Sequence, residues 1–140
     1  MLELNDTVAI RRPDEDIAED IAALVRRFPP LAQSRHWFTA SVADGVVTVK
    51  GHIKSAVGAR VLLDNLPLIP GVEAVDASGL YNDEDLRLEV GRVVPPGVRV
   101  AVDFGHVKLS GKIPPHHKAE ALIRSVEKVP GVRRVTANLT

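Results

Sequence analysis

Two acidic triplets, five histidines and Ser110 are the groups of this 140-residue chain best placed for chemistry, because cysteine is absent. Without a thiol there is no disulfide framework, no thiolate metal site and no cysteine nucleophile, which excludes zinc fingers, thioredoxin chemistry and cysteine hydrolases together. His116 and His117 are adjacent near an expected helix start, where neighbours point about 100° apart and cannot share one ion. His36, His52 and His106 stand alone, and no His-x-x-x-His or Glu-x-x-His pair occurs. All five read as solvated surface residues. Ser110 has no acid and histidine at a recognisable spacing, and neither a Gly-x-Gly-x-x-Gly nor a Walker loop is present. Asp14, Glu15 and Asp16 recur as Asp83, Glu84 and Asp85, which at helix starts compensates the dipole. A weakly bound hard cation is the one cofactor such oxygens could serve, with turn carbonyls completing the shell. No enzyme is expected.

The chain must therefore be read for the elements that position its surfaces. Its length is about one average domain, its hydrophobic fraction is 45% and its charged fraction 26%, as in folded globular proteins. Lys plus Arg equal Asp plus Glu at 18 each, so the whole-chain positive field of many nucleic-acid binders is missing. The charge is nonetheless uneven. Residues 1–80 hold 8 basic against 11 acidic side chains and residues 81–140 hold 10 against 7, a balance of −3 and +3. Lys118, Arg124, Lys128, Arg133 and Arg134 make the end of the chain basic, suited to an acidic partner or to the first half. Stacking aromatics are missing beside them, so nucleic acid is not an expected partner. The first thirteen residues lack the continuous apolar stretch of a secretory signal, and no run approaches the roughly 20 residues that cross a bilayer. A cytoplasmic protein is expected, or a periplasmic one if a leader has been removed.

Self-similarity organises the rest. A shift of 60 carries Gly45 to Gly105, Val47 to Val107, Val49 to Leu109 and Gly51 to Gly111 without a gap, then Leu62 to Leu122, Leu66 to Val126, Pro70 to Pro130 and Gly71 to Gly131. Upstream the offset is 69, so the first copy holds about nine extra residues between its first helix and first strand. Each copy begins with apolar residues at helical spacing (Ile17, Ile21, Leu24, Val25; Leu86, Val90, Val93, Val94) that stop near Pro29-Pro30 or Pro95-Pro96. Two alternating runs joined at Asp44-Gly45 or Phe104-Gly105 form a hairpin. A second helix starts after Ser55 or after Pro114-Pro115, and a third strand follows at residues 72–77 or 132–139. The expected fold is α+β: two αββαβ repeats, each a small three-stranded sheet with two helices on one face, packed on each other or merged into one sheet. Residues 1–13 read as an extension, 14–80 as the first repeat with an insertion at about 26–36, and 82–140 as the second. The stretch at residues 79–82 joins them. The expected core includes Ile21, Val42, Val49, Leu62, Leu66, Val100, Leu109, Leu122, Val126 and Val135.

The acidic helix start, the hairpin turn with Val-Val-Thr-Val-Lys-Gly, and the Pro-Gly-Val before the last strand resemble a tandem of BON domains, the module of bacterial osmotically induced and nodulation proteins. The resemblance implies a non-catalytic module that attaches to phospholipid surfaces or envelope components, often in proteins raised by osmotic or heat stress. Some relatives are cytoplasmic and bind potassium, so a cation sensor is the alternative. Phe104 departs from the pattern, standing where the first copy has the turn aspartate Asp44.

The insertion singles out a contact surface for phospholipid, membrane or a protein partner. Three of the five aromatic residues, Phe28, Trp37 and Phe38, lie in or beside it with Leu31, Arg26, Arg27 and Arg35. Amphipathic rings and basic side chains suit the boundary of an anionic bilayer. The competing reading is that these apolar residues cover the gap between the copies. The sequence leaves the oligomeric state open.

Overall fold

The computed structural model describes residues 12–140, so the expected extension at 1–13 lies almost wholly outside the described residues. In chain order the elements are α1 (Asp14–Arg27), α2 (Pro29–Ala32), β1 (Phe38–Ala43), β2 (Val46–Ile53), α3 (Ala56–Asn65) and β3 (Ala74–Asn82). The second half repeats the plan with α4 (Asp83–Gly91), β4 (Val98–Asp103), β5 (His106–Gly111), α5 (Ala119–Glu127) and β6 (Arg134–Leu139). Two separate three-stranded sheets form, ordered β1-β2-β3 and β4-β5-β6, so the merged-sheet alternative does not hold. In each, the first pair is antiparallel and the second parallel, because the helix between the last two strands returns the chain to the end of the sheet where the middle strand began.

Alternation sets which face is covered. Along β2 and β5 the inward residues Val47, Val49 and Val107 are fully buried, and Leu109 nearly so. The helices lay their apolar stripes on this face: Ile17, Ile21, Leu24, Leu62 and Leu66 in the first unit, Leu86, Val90, Leu122 and Val126 in the second. Seven of the ten expected core residues are buried. Val42, Val100 and Val135 are half-buried against the same clusters, because each sits on an edge strand with no neighbour on one side. Ser55 caps α3 by accepting from the Gly58 amide at 3.0 Å.

Three expectations are corrected, and one short helix is added. The third strand of the first unit runs through Asn82, so the expected linker is strand, and Asn82 itself caps α4 by accepting from the Asp85 amide at 2.9 Å. Helix α4 stops at Gly91, which leaves Val93 exposed. Helix α5 begins at Ala119 and not after Pro115, because the Pro114 carbonyl accepts from the His117 amide at 3.0 Å and closes a turn first. In the insertion, the proline pair starts the short helix α2, as fits prolines whose missing amides a first turn does not need.

Candidate functional site

Each unit fixes its hairpin turn with the first residue of its leading helix. Asp14 accepts from the amides of Asp44 and Gly45 at 2.9 and 3.1 Å, and Asp83 from those of Phe104 and Gly105 at 2.6 and 3.2 Å. Both turn residues have positive φ in each unit, the geometry of a tight two-residue hairpin. For Phe104 that backbone is unfavourable, at a cost on the order of 1–3 kcal/mol, so its ring must have a use elsewhere.

That use is the junction between the units. The Phe104 ring stacks on Trp37 with centroids 4.8 Å apart and planes 6° from parallel. The Arg133 guanidinium covers the Trp37 ring at 4.8 Å, and Lys54 reaches over Phe104 at 5.1 Å. Lys54 also donates to Asp103 at 2.9 Å and lies 3.5 Å from the buried Asp83. The hydrogen bond to Asp103 is the main reason that the Lys54 ammonium lies above its usual range, and its counterpart holds the Asp103 carboxyl below its own. His52, expected at the surface, is instead buried at the junction, 2.6 Å from the Gly131 carbonyl; a carbonyl can only accept, so Nε2 carries the hydrogen. A side chain at Gly105 would collide with this imidazole, which is why the turn needs glycine there for contact as well as for its backbone. Glu84 completes the junction by accepting from the Ala56 amide at the start of α3 at 2.6 Å.

The sheet faces turned away from the helices differ between the units. On the second, exposed positions alternate with inward ones, and the register sets Arg99 beside Ser110, Ala101 beside Lys108, and Asp103 beside His106, which in turn neighbours Arg134. The face thus carries three permanent cations, Arg99, Lys108 and Arg134, and one carboxylate, Asp103, already held by Lys54. His106 lies 2.6 Å from the Thr136 hydroxyl. Its imidazole titrates below the usual value, first because it is partly withdrawn from water and then because Arg134, Lys108 and Arg133 oppose a further positive charge. The corresponding face of the first sheet has one cation, Lys50, and one carboxylate, Asp76, which accepts from both the amide and the hydroxyl of Ser78.

The residues expected at a contact surface are divided by the structure. Leu31 is fully buried in the first core and Phe28 packs half-buried against it, so neither faces outward. Trp37 is 42% exposed, with its ring held in the junction by Phe104 and Arg133. Arg26, Arg27 and Arg35 are exposed; Arg27 covers the Phe28 ring and Arg35 donates to the Ala32 carbonyl at 2.8 Å. The insertion is therefore core and junction packing in its apolar members, with a cationic surface. The basic sheet face was not singled out by the sequence, although strand alternation alone places Arg99, Lys108 and Arg134 opposite Val98, Leu109 and Val135. Among the described residues no three His, Asp or Glu side chains cluster to hold a metal, and no helix is long and apolar enough to cross a membrane. Both oxygens of Asp14 and of Asp83 are occupied by backbone amides.

The basic face belongs to the segment that the family model of the BON domain matches, residues 82–140. The second unit is thus similar to a BON domain over its whole length. Two solved structures of CdsD, a structural protein of the type III secretion system of Chlamydia trachomatis, share the fold. Its C-terminal domain superposes with a TM-score of 0.72 at 16% identity, over 91% of this chain and 66% of that one. The second structure gives 0.62 at 19% identity, over 91% of this chain and 63% of that one. The chain thus spans somewhat less than two thirds of the length of these solved chains. No curated protein sequence matches it. At these identities the likeness shows a shared fold.

Proposed function

We propose that this protein is a non-catalytic attachment module that binds anionic phospholipid surfaces through the open face of its BON sheet. The observation that carries the reading is the cluster of Arg99, Lys108 and Arg134 on one face, where the one carboxylate among the described strand residues, Asp103, is already paired to Lys54. Basic residues beside an anionic leaflet contribute about 1 kcal/mol each. The exposed edge of Trp37, next to Arg133, supplies the amphipathic ring favoured at a membrane boundary. In this account the first unit is a diverged second BON domain. It repeats the sheet order and the aspartate clamp, and it braces the binding unit through the junction.

Co-sedimentation with vesicles tests the reading. Vesicles containing phosphatidylserine are expected to carry the protein down, and pure phosphatidylcholine vesicles to leave it in solution. Equal sedimentation with both, or with neither, overturns the proposal.

A further inference from the structure

The surface that joins the two units has a counterpart of different chemistry in each unit. In the second unit the receiving surface is the turn at residues 103–105 together with Gly131 and Arg133, and it accepts Trp37, His52 and Lys54. The 60-residue shift makes the same surface of the first unit Ala43, Asp44, Gly45, Gly71 and Glu73. The local geometry repeats: the Gly45 carbonyl accepts from the Glu73 amide at 2.8 Å, as the Gly105 carbonyl does from Arg133. Arg12 lies against Gly71 as Tyr81 lies against Gly131.

The chemistry, however, is inverted. Asp44 stands in place of Phe104 and Glu73 in place of Arg133, beside the clamp carboxylate Asp14. The Glu73 carboxylate and the Gly71 carbonyl each come within 2.9 Å of where a Cβ on Gly45 would lie, the place that His52 takes at Gly105. Two acceptors converge there, which suits a cation with several hydrogens to donate. At the other end the position of His52 is held by Lys112, followed by His116, His117 and Lys118, all exposed, with no acid between Asp103 and Glu120.

We propose that these ends meet between copies: the basic segment 112–118 of one molecule docks on the acidic turn surface Asp44, Gly71 and Glu73 of the next. Lys112 then takes the place that His52 has inside the chain. Because the two surfaces differ, the contact is head-to-tail and builds rings or filaments, not a two-fold dimer. Exposed charge pairs are individually weak and screened by salt, so the association depends on both concentration and ionic strength.

Sedimentation velocity without lipid tests the inference. The native chain should sediment faster as its concentration rises at low ionic strength and return to a monomer at high salt. Glu73→Lys and Lys112→Glu should each remain monomeric with an unchanged thermal transition, since both side chains are exposed. An equimolar mixture of the two variants restores both charge pairings and should associate again. A native chain that stays monomeric at low salt, variants that associate like the native chain, or a mixture that stays monomeric would each overturn the proposal. Vesicle binding plays no part in these readings, so they stand or fall separately from the attachment function.

Discussion

Trp37 of the first unit and Phe104 of the second lie face to face, 4.8 Å between ring centroids, although Phe104 must hold an unfavourable positive φ to do so. The contact ties the extra segment of one unit to the turn of the other. The ring pair alone is worth about 0.5–1.5 kcal/mol beyond its buried area. Trp37→Ala should therefore lower the denaturation midpoint by at least that stability, read by urea titration. An unchanged midpoint would remove the stack from the account of the junction.

Leu31 gives the opposite kind of prediction for the same segment. It is fully buried against the first core, so Leu31→Ala should cost about 2–5 kcal/mol. Replacing Phe28, Leu31 and Trp37 together with serine should unfold the first unit, seen as lost cooperative melting. A triple variant that melts normally would return the insertion to the surface.

Much of the fold was legible because a gapless 60-residue shift shows the same elements twice, and two weak patterns in one order reinforce each other. The elements misread had local signals outvoted by context. Residues 79–82 read as a joining stretch, but parallel pairing with β2 carries the strand through to Asn82, with a register shift between Thr48 and Lys50. The proline pair at 114–115 reads as a helix start, but a turn intervenes before Ala119. The role of Asp14 and Asp83 was hidden for a different reason. Each does sit at a helix start, yet its carboxylate is committed to a hairpin 30 or 21 residues away, a relation that no spacing rule reports. The basic face was readable from strand parity, but residue types counted along the chain merge it with the unrelated cations Lys118, Arg124 and Lys128 in and beside α5.

His106 should report ligand binding through its titration. In the free protein partial burial and the cations Arg134, Lys108 and Arg133 hold its pKa below the usual value of about 6.5. An anionic surface over those cations offsets their repulsion, so the bound state holds the His106 proton more tightly. Binding then takes up a proton and strengthens as pH falls through the His106 range. Following the His106 ring by NMR, with and without anionic bicelles, should show its midpoint rise on binding. The same midpoint in both conditions would contradict the placement of lipid on this face.

The central claim is that the three cations of the second sheet carry attachment. Arg99→Gln, Lys108→Gln and Arg134→Gln combined remove about 3 kcal/mol of attraction, roughly a hundredfold in affinity. Neutralising Arg26, Arg27 and Arg35 on the first unit in the same way should change binding far less. The most direct measurement is the partition coefficient of both triple variants on phosphatidylserine vesicles at fixed ionic strength. The account predicts a loss of about two orders of magnitude for the sheet variant with its thermal transition intact. Native partitioning by the sheet variant, or an equal loss by the Arg26, Arg27 and Arg35 variant, would contradict it.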